Sequence, residues 1–179
     1  MFFNKKAQIW IETVIYTLIA IAMIGLVLSV VKPRIEEVQD KAIIEQSLDV
    51  LKNINSLISD IKRASGNQRI VELGINKGNL KIDAINDRII FEIESKYEYS
   101  EPGQDIQEST TGINIHTEKI GKFNNVTLTK DYSSQYDLKY QGEEKIKSLT
   151  KASMPYKLLI SNKGKEDILN KTIIDVELT

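Results

Sequence analysis

Charged residues disappear after Glu12 and do not return until Lys32. The 19 residues between, 13–31, are dominated by Ile, Leu, Val and Ala and are apolar on every helical face. With residues 9–12 added, such a stretch makes a helix of roughly 34 Å, enough to cross a hydrocarbon core of about 30 Å. All-round apolarity fits lipid or the interior of a helix bundle, not the surface of a soluble domain. Past Pro33 the pattern turns amphipathic. Ile35, Val38, Ala42, Ile44, Leu48, Leu51, Ile54, Ile58 and Ile61 recur mostly three and four apart, and Glu36, Glu37, Asp40, Lys41, Glu45, Asp49 and Lys52 fill the other face. This predicts a second helical half with one face on a domain, ending in 63–66 with Gly66 and Asn67 as its C-cap. A proline inside a helix removes a hydrogen bond, so a kink is expected at Pro33. Continuous from Ile9 to Arg63, the helix would measure roughly 80 Å.

From Gln68 the period changes to two. Segments 69–75, 79–85 and 88–99 alternate apolar with polar residues, and Asn76-Lys77-Gly78-Asn79 and Asn86-Asp87 suit the turns of a three-stranded meander. Residues 101–112 read as an exposed loop, 113–118, 125–132 and 137–140 as further strands, and 142–151 as a charged stretch without clear period. A closing hairpin pairs 156–161 with 172–178 around a loop that begins at Asn162-Lys163-Gly164-Lys165. Its buried face is Tyr156, Leu158 and Ile160 against Ile174, Val176 and Leu178. The fold class expected is α+β: a long N-terminal helix followed by an antiparallel β-sheet or sandwich packed on the helix's second half.

Composition narrows the chemistry. The net charge of −1 provides no field to recruit nucleic acid, and the absence of cysteine excludes disulfides, thiolate catalysis and cysteine-ligated metals. The one histidine, His116, sits among β-formers and reads as a strand residue. The glycines lack phosphate-loop spacing, and the acid pairs Glu143-Glu144 and Glu166-Asp167 read as solvated loop charges. The oxygens of residues 131–137 lack the spacing of a calcium loop, and Tyr97, Tyr99, Tyr132, Tyr136 and Tyr140 read as core or strand-face aromatics. Neither a catalytic constellation nor a cofactor is legible. Two sequons, Asn125-Val126-Thr127 and Asn170-Lys171-Thr172, make Asn125 and Asn170 candidate N-glycosylation acceptors if the domain is exported.

The N-terminus itself carries the most specific signal. Two lysines, Lys5 and Lys6, precede Ala7, then Gln8-Ile9-Trp10-Ile11-Glu12, then the apolar run. A secretory signal would be shorter. Ala20-Ile21-Ala22 has the form of its cut site, but the apolar run continues nine residues beyond. Residues 5–31 resemble the class III signal peptide of archaeal type IV pilin-like proteins, with Trp10 where that motif has serine. The resemblance implies cleavage between Ala7 and Gln8 by a prepilin peptidase, with Glu12 as the acidic residue used in assembly. It divides the chain into a leader (1–7), a transmembrane and assembly helix (8–31), an amphipathic helix (32–66) and an exported β-domain (67–179). The physics is consistent. Cleavage before Gln8 would leave a positive amine one helical turn from Glu12, and a carboxylate near a helix N-terminus is favoured by the macrodipole.

The expectation is therefore a structural subunit, major or minor, of a type IV-pilus-like surface filament. Its partners would be the peptidase, sister subunits and the membrane, and it would have neither cofactor nor enzymatic activity. Before assembly it would be a single-pass membrane protein with the C-terminal domain outside. The alternative of a different class is an uncleaved, membrane-tethered extracellular binding or sensor domain.

Overall fold

A computed structural model describes residues 5–165 and 171–179, with side chains from Ile9 onward. One helix, α1 (Lys5–Ile61), occupies the first third of the chain and is followed by two β-sheets, an α+β arrangement. Between Lys5 and Ile61 the sequence has a single glycine, Gly25, and a single proline, Pro33, so little interrupts helix propagation. The helical assignment runs unbroken through Pro33, although that residue has no N–H to offer the Ser29 carbonyl. The chain falls into two units, Met1–Gln39 and Asp40–Thr179, so the last 22 residues of the helix belong with the strands.

In the second unit the amphipathic stripe does what its spacing predicts. Ile44, Leu48, Leu51, Ile54, Ile58 and Ile61 are all buried in one core with residues from both sheets. Each such side chain contributes about 1.5–3 kcal/mol relative to exposure. The stripe starts later than the spacing alone suggests, because Ile35, Val38 and Ala42 are exposed.

The helix also stops earlier than expected, at Ile61. Gly66 does turn the chain out of the helix with φ +85°, but the last carbonyls are capped from a distant strand. Asn162, 2 % exposed, donates its amide to the carbonyls of Ile61 (3.0 Å) and Ala64 (3.2 Å), and Gly66 N–H donates to the Asn162 carbonyl at 2.8 Å. Orphan helix-end carbonyls, which need a partner when buried, thus find one on the sheet.

Ten strands are assigned among the described residues: β1 (Gln68–Leu73), β2 (Asn79–Asp83), β3 (Arg88–Ser95), β4 (Asp105–Gln107), β5 (Asn114–Ile120), β6 (Phe123–Asp131), β7 (Tyr136–Tyr140), β8 (Ile146–Thr150), β9 (Tyr156–Lys165) and β10 (Thr172–Leu178). They form a four-stranded sheet, β1-β9-β10-β7, and a six-stranded sheet, β4-β5-β6-β3-β2-β8. All pairings are antiparallel except β10 with β7, which is parallel.

The expected meander of the first three strands does not form. β2 and β3 pair, but β1 joins β9 in the other sheet. The connection through Asn76-Lys77-Gly78 crosses between sheets instead of reversing. Gly78, at φ +89°, passes so close that a Cβ would lie 2.5 Å from the Glu92 carbonyl oxygen. Turn-forming residues were needed there for a close approach, not for a hairpin. The Asn86-Asp87 turn is a true reversal. Asp83 accepts the N–H groups of Ile85 (3.2 Å) and Asn86 (3.1 Å), and Asp87 takes φ +54°.

Two segments read as irregular are strands. Residues 105–107, inside the expected loop 101–112, pair with β5, and residues 146–150, inside the charged stretch, pair with β2 as an edge. The closing hairpin forms with Ile160 opposite Val176 and Leu158 opposite Leu178. Its expected buried face holds at Leu158, Ile160, Ile174 and Val176, whereas Tyr156 is half-buried and Leu178 is 37 % exposed. Asn162-Lys163-Gly164-Lys165 stays within β9 and forms a bulge rather than the start of the loop, with Ile173 and Ile174 opposite Gly164 and Asn162. The bulge aims Asn162 at the helix end.

Candidate functional site

In the first unit every residue from Ile9 to Ile35 is exposed, and α1 is long and apolar enough to cross a membrane. The Thr and Ser hydroxyls in the run are satisfied within the helix. Thr13 donates to the Ile9 carbonyl (2.9 Å), Thr17 to the Thr13 carbonyl (2.8 Å) and Ser29 to the Leu26 carbonyl (2.7 Å). This back-bonding hides the hydroxyls from an apolar surrounding, where an unmet donor costs free energy. Glu12 lies in this exposed surface, within the first turns of the helix. Ala7 and Gln8 fall within the α1 backbone, and their side chains lie outside those described.

The apolar surface does not end with the charged residues that would mark a lipid boundary. Beyond Lys32 and Arg34, Ile35 and Val38 remain 50 % and 69 % exposed. Together with Val30 and Val31 they line a groove of about 350 Å³, flanked by Arg34 and Gln39. Arg34 pairs with Glu37 at 2.9 Å along the helix.

The two sequons fare differently. Asn125 lies on β6, half-buried, between Glu118 on β5 and Glu94 on β3, and Thr127 shares its face of the sheet. Asn170 lies outside the described residues.

No protein-family model matches the chain, and neither a curated protein nor a solved structure is significantly similar to it.

Elsewhere many of the polar groups pair with one another. A cavity of about 610 Å³ on the four-stranded sheet is lined by Lys139, Gly142, Lys163, Asp175 and neighbours. Its charges satisfy one another. Lys139 lies 3.0 Å from Asp137 and 2.8 Å from Glu144, Lys163 lies 3.6 Å from Asp175 and 3.4 Å from Glu177, and Gly142 N–H donates to Asp175. Burial works against the charge on Lys139, but its bonds to Glu144 and Asp137 outweigh that and raise its pKa. Tyr132, Tyr136 and Tyr140 are core residues, and burial, then the neighbouring Tyr136, pushes the Tyr132 phenol up. His116 joins Asp105 at 2.7 Å, linking β5 to β4. Among the described residues no three His, Asp or Glu side chains gather as a metal site.

Two anchoring residues carry no sequence signal of their importance. Asn162 looks like turn material, and Asp40 looks like one more charge on a solvated helix face. Asp40 is 6 % exposed, accepts the Lys96 N–H at 2.7 Å and pairs with Lys77. Only the long-range contacts give either residue its role.

Proposed function

We propose that this chain is a structural, pilin-like subunit of a type IV-pilus-like surface filament, cut before Gln8 by a prepilin peptidase and assembled through its N-terminal helix. Held first in the membrane with its C-terminal domain outside, it passes into the filament by exchanging lipid for sister helices. The observation that carries the reading is the apolar surface that runs on past the charged residues. Lipid accounts for the exposure of residues 9–31. It does not account for Ile35 and Val38, which lie beyond Lys32 and Arg34, whereas a neighbouring helix does. Glu12 fits the same scheme, because a carboxylate early in a helix can meet the amine that processing creates on a sister subunit. A glycan on Asn125 would then project from the outer face of the six-stranded sheet.

Glu12→Gln separates assembly from tethering. The variant should insert in the membrane at the parental level but fall out of the shed-filament fraction, by immunoblot of both fractions. Parent and variant alike in the membrane fraction, with neither in shed filaments, would favour the uncleaved tether, for which Glu12 has no task.

A further inference from the structure

The β5–β6 hairpin ends in an exposed apolar pair, Ile120 opposite Phe123, respectively 56 % and 39 % exposed. Lys119 and Lys122 are exposed at the same tip, and the Lys96 ammonium lies 6.0 Å from the centre of the Phe123 ring. An apolar tip within a ring of lysines is the composition that enters the boundary of an anionic bilayer. Its place in the β-unit strengthens the point. Ser95 pairs with Asn124 at this end of the sheet, and the next residue, Lys96, bonds through its backbone to Asp40, where the chain enters the unit from the apolar helix. Eight residues, 32–39, separate Asp40 from the end of the apolar run. Within the β-unit the tip therefore lies at the end that holds Asp40, the residue that follows the apolar helix along the chain. The acids Glu118 and Glu94 are near by, but they lie back along the strands rather than at the turn.

We infer that this hairpin tip docks on the anionic surface of the membrane that the helix crosses and so restrains the β-domain. Ile120 and Phe123 enter the interface while Lys119 and Lys122 meet lipid phosphates. This rests on the membrane reading of the helix but not on cleavage or filament formation. Each lysine near such a surface biases docking roughly fivefold, about thirtyfold for the pair.

The chain's single tryptophan, Trp10, makes a direct test simple. In a Trp10→Phe background of the full chain, one indole is placed by Phe123→Trp, by Ile85→Trp or by Ile21→Trp. Ile85 is equally apolar and 58 % exposed but lies in the β2–β3 turn, at the opposite end of the sheet. Each variant is reconstituted in phosphatidylglycerol-containing vesicles with brominated lipid. Docking predicts that the indole at 123 is quenched by bromines near the headgroup and that the one at 85 is not. It also predicts that K119E/K122E or phosphatidylcholine vesicles abolish the quenching at 123. If the indole at 21 is quenched but those at 123 and 85 behave alike, docking is wrong while the helix reading stands. If the indole at 21 is not quenched, the membrane reading fails and docking with it. Shielding at 123 that follows protein density and ignores lipid charge would mean contact between copies, and would overturn the inference too.

Discussion

Asn162 joins two parts of the chain a hundred residues apart. Its amide caps the helix end, its side-chain oxygen accepts the Gly164 N–H at 2.8 Å, and its backbone exchanges bonds with Gly66 and Asn67. Removing it leaves buried carbonyls without donors. Asn162→Ala should lower the stability of the β-unit by about 1–3 kcal/mol in urea unfolding of the detergent-solubilised chain, followed through its buried tyrosines. Glu108 is a second tie, set by charge. The Thr111 hydroxyl and N–H, at 2.6 and 2.7 Å, and then Lys52 on the helix pull its pKa down to about 2 from an ordinary 4.5. A depressed carboxyl stabilises the fold above its unfolded pKa and loses that contribution as pH falls through its folded value. Glu108→Gln should therefore be less stable than the parent at pH 7, and the difference should shrink from about pH 4.5 and close near pH 2. Urea midpoints measured across that range check it. The Asn162 tie is not legible in sequence, because its carbonyl partners lie about a hundred residues away. The main partner of Glu108, Thr111, is three residues on, and only Lys52 is brought near by the fold.

At the scale of elements, α1 is one helix under two regimes. From Asp40 its apolar stripe is core, and before that it is surface. Ile54→Ala should cost about 2–5 kcal/mol in the same unfolding assay, as a large-to-small change in a packed core does. Val38→Ala should stay within about 0.5 kcal/mol there, since it leaves no cavity. The helix was readable because its periods, all-apolar and then three-and-four, are local properties of the chain. Most of the strands, β1 included, were readable for the same reason. What failed was the use of turn chemistry. Gly78 and Gly164 carry the same residue signals as hairpin turns, yet one permits a close crossing between sheets and the other a bulge behind a helix cap. Glycine and asparagine announce unusual backbone, not which unusual backbone. Short edge strands such as β4 and β8 were missed because three to five residues, one side in solvent, give too little alternation to see.

For the whole molecule, stability and function are assigned to different stretches of one chain. The β-unit holds itself together through a shared core and has its polar groups largely paired, and the cavity on its four-stranded sheet is lined by charges that satisfy one another. Residues 9–39 of the helix contribute none of their apolar surface to that core, which leaves that surface for something outside the chain. The proposed function follows from that division together with the order Lys-Lys-Ala-Gln before Glu12. The most direct test is the N-terminus of the protein as the cell makes it. Intact-mass and N-terminal peptide mass spectrometry of the membrane and shed-filament fractions should find chains that begin at Gln8. Chains that begin only at Met1 in both fractions would contradict the account.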